Sequence, residues 1–312
     1  MRVDRDTQVI LQAFKEAGGQ GIEILSVQDA RDVYVQNNTG DLEPDKIHSV
    51  KDRQITVRDG NQITVRIYEP RENAHEKSPG ILFMHGGGWV IGDLETHDSI
   101  CRRVAKETQY SVIAVDYRLA PEYPFPYPLH DCIDALLWLG QEGELLQIET
   151  TSIIVMGDSA GGNLATILAH QFNKSNDYHI AAEVLFYPVT TAIMDSPSYE
   201  RFAEGYPLSK KTMEWFINHY VTKETDPANP QISPLYYEDL QSDVATFIMT
   251  VGLDPLCDEG VYYAQKLITK GHYVVYQHQP DTMHGILTSA KAIKLGEHYI
   301  HKACDFIKEY FK

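Results

Sequence analysis

Three stretches of this sequence carry residue types that could break an acyl bond. The first is Gly157-Asp158-Ser159-Ala160-Gly161, where a serine is pinned between glycines. The second is His85-Gly86-Gly87-Gly88-Trp89, and the third is Pro280-Asp281-Thr282-Met283-His284-Gly285. A serine hydroxyl attacks a carbonyl carbon only when a base takes its proton and a carboxylate orients that base. It also needs donors for the oxyanion that forms. The four requirements can be assigned to residues one at a time.

Ser159 follows the apolar run Ser152-Ile153-Ile154-Val155-Met156, and a small-residue helical pattern starts at Ala160. A serine at a sharp strand-to-helix turn needs neighbours without a Cβ two residues away on either side, and Gly157 and Gly161 meet that need. The helix that follows aims its first N–H groups, Ala160 among them, at charge developing beside Ser159. A phosphate-binding loop is the rival reading. It fails because the stretch lacks the Lys of a P-loop and the G-x-G-x-x-G spacing of a dinucleotide site.

Three glycines in a row are costly in backbone entropy. At residues 86–88 they are expected to bring backbone close to the reacting carbonyl, with Gly87 and Gly88 N–H groups joining Ala160 N–H as oxyanion donors. His85 is expected to shape this loop by hydrogen bonding rather than to act as base. Of the thirteen histidines, His284 is the candidate base, since it sits on a loop after the last strand run and before the last helix run. Loops at strand C-terminal ends are where α/β sites form. Asp254, in Val251-Gly252-Leu253-Asp254-Pro255, lies just past another strand run and is the candidate acid. Asp258 is the second candidate, unless it caps the helix beginning there. Asp158 adjoins Ser159 but points away from it at such a turn, so a structural role is expected.

These residues need a scaffold of strands with helices between them. Strand-like runs recur at 54–59, 62–70, 80–87, 111–118, 152–158, 183–189, 246–252 and 273–278. The first two alternate polar and apolar residues, which suits an antiparallel edge hairpin closed at Asp59-Gly60-Asn61. The middle runs are continuously apolar, as in strands covered on both faces. Helical patterns separate them over 94–108, 131–140, 160–172, 258–270 and 291–311. This alternation predicts an α/β fold with a mostly parallel eight-stranded sheet and helices on both faces. Residues 1–45 read as helix without strand. Residues 195–240 are rich in aromatics and prolines, with Tyr199, Phe202, Tyr206, Trp215, Phe216 and Tyr220 among them. Both segments are expected to form a helical cap, dividing the core into 46–194 and 241–312.

Composition narrows the function classes. The chain has 312 residues and a formal net charge of −17, with no basic block, so a nucleic-acid partner is excluded. No apolar run reaches membrane-spanning length, and the charged N-terminus does not suit a secretion signal. Cys101, Cys132, Cys257 and Cys304 form no CxxC pair and no Cys/His cluster has ligand spacing, which points to reduced thiols, no metal and a cytoplasmic location.

HGGGW (85–89), DYRLAPE (116–122), GDSAGG (157–162), GLDPLCDEG (252–260) and MHG (283–285) together resemble the hormone-sensitive-lipase-type branch of α/β hydrolases, the bacterial acetyl esterases above all. The resemblance covers roughly residues 55–310. It implies Ser159 as nucleophile, His284 as base, Asp254 as orienting acid, and Gly87, Gly88 and Ala160 around the oxyanion. It also implies hydrolysis of short-acyl carboxylic esters, no cofactor and a possible homodimer. The chain order Ser…Asp…His agrees with that branch. Arg118 and Glu122, within the DYRLAPE stretch, are expected to form a structural ion pair or network. An amidase or arylformamidase on the same machinery is the alternative. A ligand receptor on a hydrolase fold would need no base, and the intact setting of His284 argues against it.

Overall fold

A computed structural model describes residues 2–39, 44–72, 76–288 and 294–312. Its eight strands are β1 (Ser49–Thr56), β2 (Gln62–Glu69), β3 (Ser78–Met84), β4 (Ser111–Asp116), β5 (Ile148–Asp158), β6 (Ile180–Phe186), β7 (Ala245–Leu253) and β8 (Val274–Met283). They form one sheet in the order β1-β2-β4-β3-β5-β6-β7-β8. β1 and β2 are antiparallel to each other, β2 is antiparallel to β4, and the remaining pairings are parallel. This is the α/β-hydrolase fold.

The hairpin between β1 and β2 closes at the expected turn, with Gly60 N–H donating to Val57 O and Asp59 accepting from Asn61 N–H. β1 itself starts five residues before its sequence signal. Lys51, Asp52 and Arg53 lie exposed on this edge strand, so its first half shows no apolar alternation. β6 ends at Phe186 rather than at 189, because Tyr187 turns to φ 36°. β8 runs on to Met283, five residues past the expected end.

Helices cover both faces. Sheet residues Ile81, Phe83, Ile154 and Met156 pack against α3 (Asp98–Thr108) and α9 (Leu295–Tyr310). Their neighbours Leu82, Met84 and Val155 pack the other way, against α4 (Tyr127–Glu142), α5 (Ala160–Gln171) and α8 (Cys257–Thr269). Alternate side chains thus build two cores from one set of strands, as the period of two requires. The helix expected from 94 begins at Asp98. The helix expected over 131–140 begins earlier, at Tyr127, and ends at Glu142. Of the helix expected over 291–311, residues 291–293 lie outside the described residues.

The two non-alternating segments are helical. The N-terminal one holds α1 (Arg5–Glu16), a 3-10 turn at Ile22–Ile24 and α2 (Val27–Asn38). The later one holds α6 (Pro197–Arg201), α7 (Lys210–Tyr220) and a 3-10 turn at Pro234–Tyr236. They touch through Thr212 of α7, whose hydroxyl donates to Glu23 at 2.8 Å. Among the described residues no helix is long and apolar enough to cross a membrane.

Candidate active site

The C-terminal ends of β3, β5, β7 and β8 lie at one edge of the parallel sheet, and each candidate residue follows one of them directly. Ser159 follows β5 with φ 54° and ψ −119°, a backbone state that costs a non-glycine residue about 1–2 kcal/mol. Three hydrogen bonds hold it there. Ser159 N–H donates to Phe186 O at 2.9 Å, and Ser159 O accepts from Asn163 N–H and Val189 N–H at 3.0 and 3.1 Å. The flanking glycines are sterically required. A Cβ on Gly157 would lie 2.7 Å from Met84 O, and one on Gly161 would lie 2.6 Å from His85 O.

The candidate base and acid are brought together by the β7–β8 register, where Leu253 pairs with Met283. The pairing shifts between Val251 and Leu253. Gly252 sits at that irregularity, where a Cβ would lie 2.7 Å from Pro280 Cα. Asp254 and His284 therefore leave neighbouring strands side by side. Asp254 is fully buried and its Oδ2 lies 2.8 Å from His284 Nδ1, while its Oδ1 accepts from Leu256 N–H at 2.9 Å. With Nδ1 committed to Asp254, Nε2 is the ring nitrogen left for a hydroxyl. The His284 ring lies 4.5 Å from that of Tyr187, the residue after Phe186, which binds Ser159 N–H. Ser159, Asp254 and His284 thus gather around the ends of β5 to β8. Asp258 is not the acid partner: its carboxylate pairs with Arg201 at 2.6 Å. Nor does it cap α8, because Leu256 holds the N-cap position.

The glycine loop follows β3. Gly87 and Gly88 have φ of 121° and 59°, and among the described residues their N–H groups donate to no protein acceptor. Ala160, as the first residue of α5, has no intrahelical acceptor either. Among the described residues, three backbone donors at this sheet edge therefore lack a protein acceptor. Phe216 of α7 closes over the loop, since a Cβ on Gly88 would lie 2.6 Å from its Cε1. Trp89 stacks on Tyr220 of the same helix at 4.3 Å.

His85 serves the loop as expected: its ring stacks on Tyr117 at 4.2 Å and its Nδ1 meets Gly86 O at 2.8 Å. Burial, joined by the nearby charge of His97, pushes its pKa down to about 4, so it stays neutral. Asp158 also has the expected structural role, but with a partner that the sequence does not reveal. Its Oδ1 accepts from Gly86 N–H at 2.9 Å and lies 3.1 Å from Nε2 of His97, both side chains being buried. Burial alone would raise the Asp158 pKa. The charge and hydrogen bond of His97 outweigh it and hold the carboxyl below its usual range. His97 reads as a helix residue in the sequence. It actually precedes α3, and the signal is Thr96-His97-Asp98 placed just ahead of the apolar period of Ile100 and Val104. Arg118 and Glu122 belong to separate ion pairs: Arg118 with Asp131 and Asp59, Glu122 with Arg31.

Among the described residues, no group of three or more His, Cys, Asp or Glu is arranged to hold a metal ion. All four cysteines are buried and unpaired. A strained strand-end serine, a His–Asp pair and unpaired backbone N–H groups at the same sheet edge are the parts that a serine hydrolase on an α/β sheet would use. Comparison with known proteins narrows the class. The model of an α/β-hydrolase-fold family matches residues 81–288. An ethyl acetate hydrolase of Pseudomonas putida is 37% identical over 81% of this chain and 79% of its own. An arylesterase of Saccharolobus solfataricus is 32% identical over 87% of this chain and 88% of its own. A solved ester-hydrolase from the metagenome of Lake Arreo, in complex with a bipyridine phosphonate derivative, superposes with a TM-score of 0.92. It is 34% identical and the match covers 99% of both chains. The chain belongs to the hormone-sensitive-lipase-like esterase family of α/β hydrolases and is a carboxylic ester hydrolase.

Proposed function

We propose that this esterase hydrolyses short-acyl carboxylic esters through a covalent acyl-enzyme, with Ser159 as nucleophile, His284 as base and Asp254 as orienting acid. The 2.8 Å Asp254–His284 bond carries this reading, because it fixes the proton on Nδ1 and leaves Nε2 as the acceptor. His284 Nε2 takes the Ser159 proton while Oγ attacks the ester carbonyl carbon. The tetrahedral oxyanion sits among the N–H groups of Gly87, Gly88 and Ala160, each worth about 3–4 kcal/mol in comparable sites. Collapse breaks the C–O bond, and the imidazolium gives its proton to the departing alkoxide. Water then attacks the acyl-enzyme by the same route and releases the acid.

The short-acyl preference rests on Phe216, which lies over Gly88, and on the stacked Trp89–Tyr220 pair behind the loop. The similarity to an ethyl acetate hydrolase supports it as well. In this reading residues 1–45 and 195–240 act together as a cap. A p-nitrophenyl ester series from acetate to decanoate tests the proposal. Acetate and butyrate turn over fastest, and Ser159→Ala abolishes turnover and labelling by a phosphonate ester. Faster cleavage of decanoate overturns the acyl preference. Cleavage of matched anilides at comparable rates shifts the activity to an amidase, and an active Ser159→Ala enzyme removes the mechanism.

A further inference from the structure

The segment from Asp281, near the end of β8, to Thr288 carries His284 at its middle, and the N-terminal helices meet it at both ends. At the start, Asp4 N–H donates to Asp281 O at 2.7 Å. Three residues on, the Thr7 hydroxyl meets the Thr282 hydroxyl at 2.8 Å. Both threonines are fully shielded from solvent, and Thr7 is the one buried residue of α1. At the far end, the Tyr34 phenol of α2 lies beside the Thr288 side chain. The Thr288 hydroxyl also donates to Gly285 O at 3.2 Å, tightening the turn after the histidine.

A helix that only covered a pocket would need apolar contacts with the substrate. Burying a hydroxyl pair between residue 7 and a residue two positions before the base does something else. A buried hydroxyl left unpaired costs free energy, so the pair selects one position of α1 against the strand end. The strand end in turn sets the direction of the His284 ring. Proton transfer from a serine requires the ring nitrogen within hydrogen-bond reach, and displacement by about 1 Å can cost about 10²-fold in rate.

We propose that the N-terminal segment is a clamp on the base, with Thr7 and Tyr34 as positioning residues for His284. The inference rests on the reading of His284 as the base. Loss of either hydroxyl loosens one end of the loop, lowers the population of rings aimed at Ser159, and leaves the acyl pocket intact.

The full-length chain is assayed with p-nitrophenyl acetate and hexanoate after Thr7→Val, Tyr34→Phe and the double change. Each single change lowers kcat by about tenfold on both esters with KM held within about twofold, and the double change lowers it further. Inactivation by a phosphonate ester, which uses the same base, slows in proportion. Thr7→Ser, which keeps the hydroxyl, restores kcat. Parental kcat in both single variants overturns the clamp, as does a rise in KM at constant kcat, which marks a lid or pocket role. If Thr7→Val unfolds, Tyr34→Phe, which deletes a single oxygen, decides alone by the same readouts. His284→Ala separates the two readings. If it turns over like the parent, His284 is not the base. If it is inactive while Thr7→Val and Tyr34→Phe are unaffected, only the clamp fails.

Discussion

Replacing Asp254 by asparagine tests the proposed chemistry at its tightest contact. The two carboxylate oxygens of Asp254 have different partners. Oδ1 accepts from the backbone N–H of Leu256 at 2.9 Å, and Oδ2 faces His284 Nδ1 at 2.8 Å. An asparagine of the same shape must put its carbonyl oxygen toward Leu256, because a buried N–H facing an NH₂ group would lose its acceptor. That orientation turns the NH₂ toward Nδ1. The ring then accepts at Nδ1 and carries its proton on Nε2, the nitrogen that has to receive the Ser159 proton. A wrong tautomer in a serine triad lowers kcat by about 10⁴, or about 5 kcal/mol of transition-state stabilisation. The site is fully buried and keeps its volume and its Leu256 bond, so the melting temperature stays near that of the parent. Stopped-flow and steady-state turnover of p-nitrophenyl acetate, with a thermal melt on the same preparation, measure both quantities. An Asp254→Asn enzyme that melts like the parent and keeps more than about a tenth of its kcat would show that proton placement on His284 is not what Asp254 controls.

Three further substitutions probe the loop and its supports. Gly88→Ala puts a side chain at φ 59° with its Cβ 2.6 Å from Phe216 Cε1, so the loop moves and kcat on p-nitrophenyl acetate falls by about 10²–10³. An unchanged kcat would remove Gly88 N–H from the oxyanion donors. His97→Ala leaves the buried Asp158 carboxylate with Gly86 N–H as its remaining hydrogen-bond partner, which costs about 3–5 kcal/mol in urea unfolding. A loss below about 1 kcal/mol would mean that the pair is dispensable. His85 has a folded pKa of about 4 against an ordinary 6.5, so the unfolded chain binds the proton first as pH falls. Stability due to this group is therefore full above pH 6.5 and declines by about 3 kcal/mol toward pH 4; His85→Gln flattens that part of the urea-unfolding profile. Parallel profiles for parent and variant would contradict the neutral, buried His85.

The parts legible in the sequence are those whose physical requirement is local. A strand-end serine needs small neighbours, so Gly157 and Gly161 announce the turn, and the carbonyls of Met84 and His85 supply the steric reason. Buried parallel strands must be apolar throughout, so β3 to β7 stand out, whereas the exposed edge strand β1 hides its first half behind Lys51, Asp52 and Arg53. Asp254 and His284 are legible because each follows a strand, although their pairing depends on a register shift at Gly252 that no local pattern encodes. The supports of the site stay hidden in the sequence, and for one reason. His97 meets Asp158 across the intervening α3, β4 and α4, and Thr7 meets Thr282 across 275 residues. Each partner in such a pair has an adequate local explanation, as a helix start or a polar residue near a terminus. Only burial exposes the difference, because a hydroxyl or carboxylate removed from water must find a partner wherever the fold brings one. The chemistry of this site is therefore written in short motifs, while its aim depends on long-range polar pairs. For that reason the clamp on His284 has to be tested by removing single hydroxyls far from the serine in sequence.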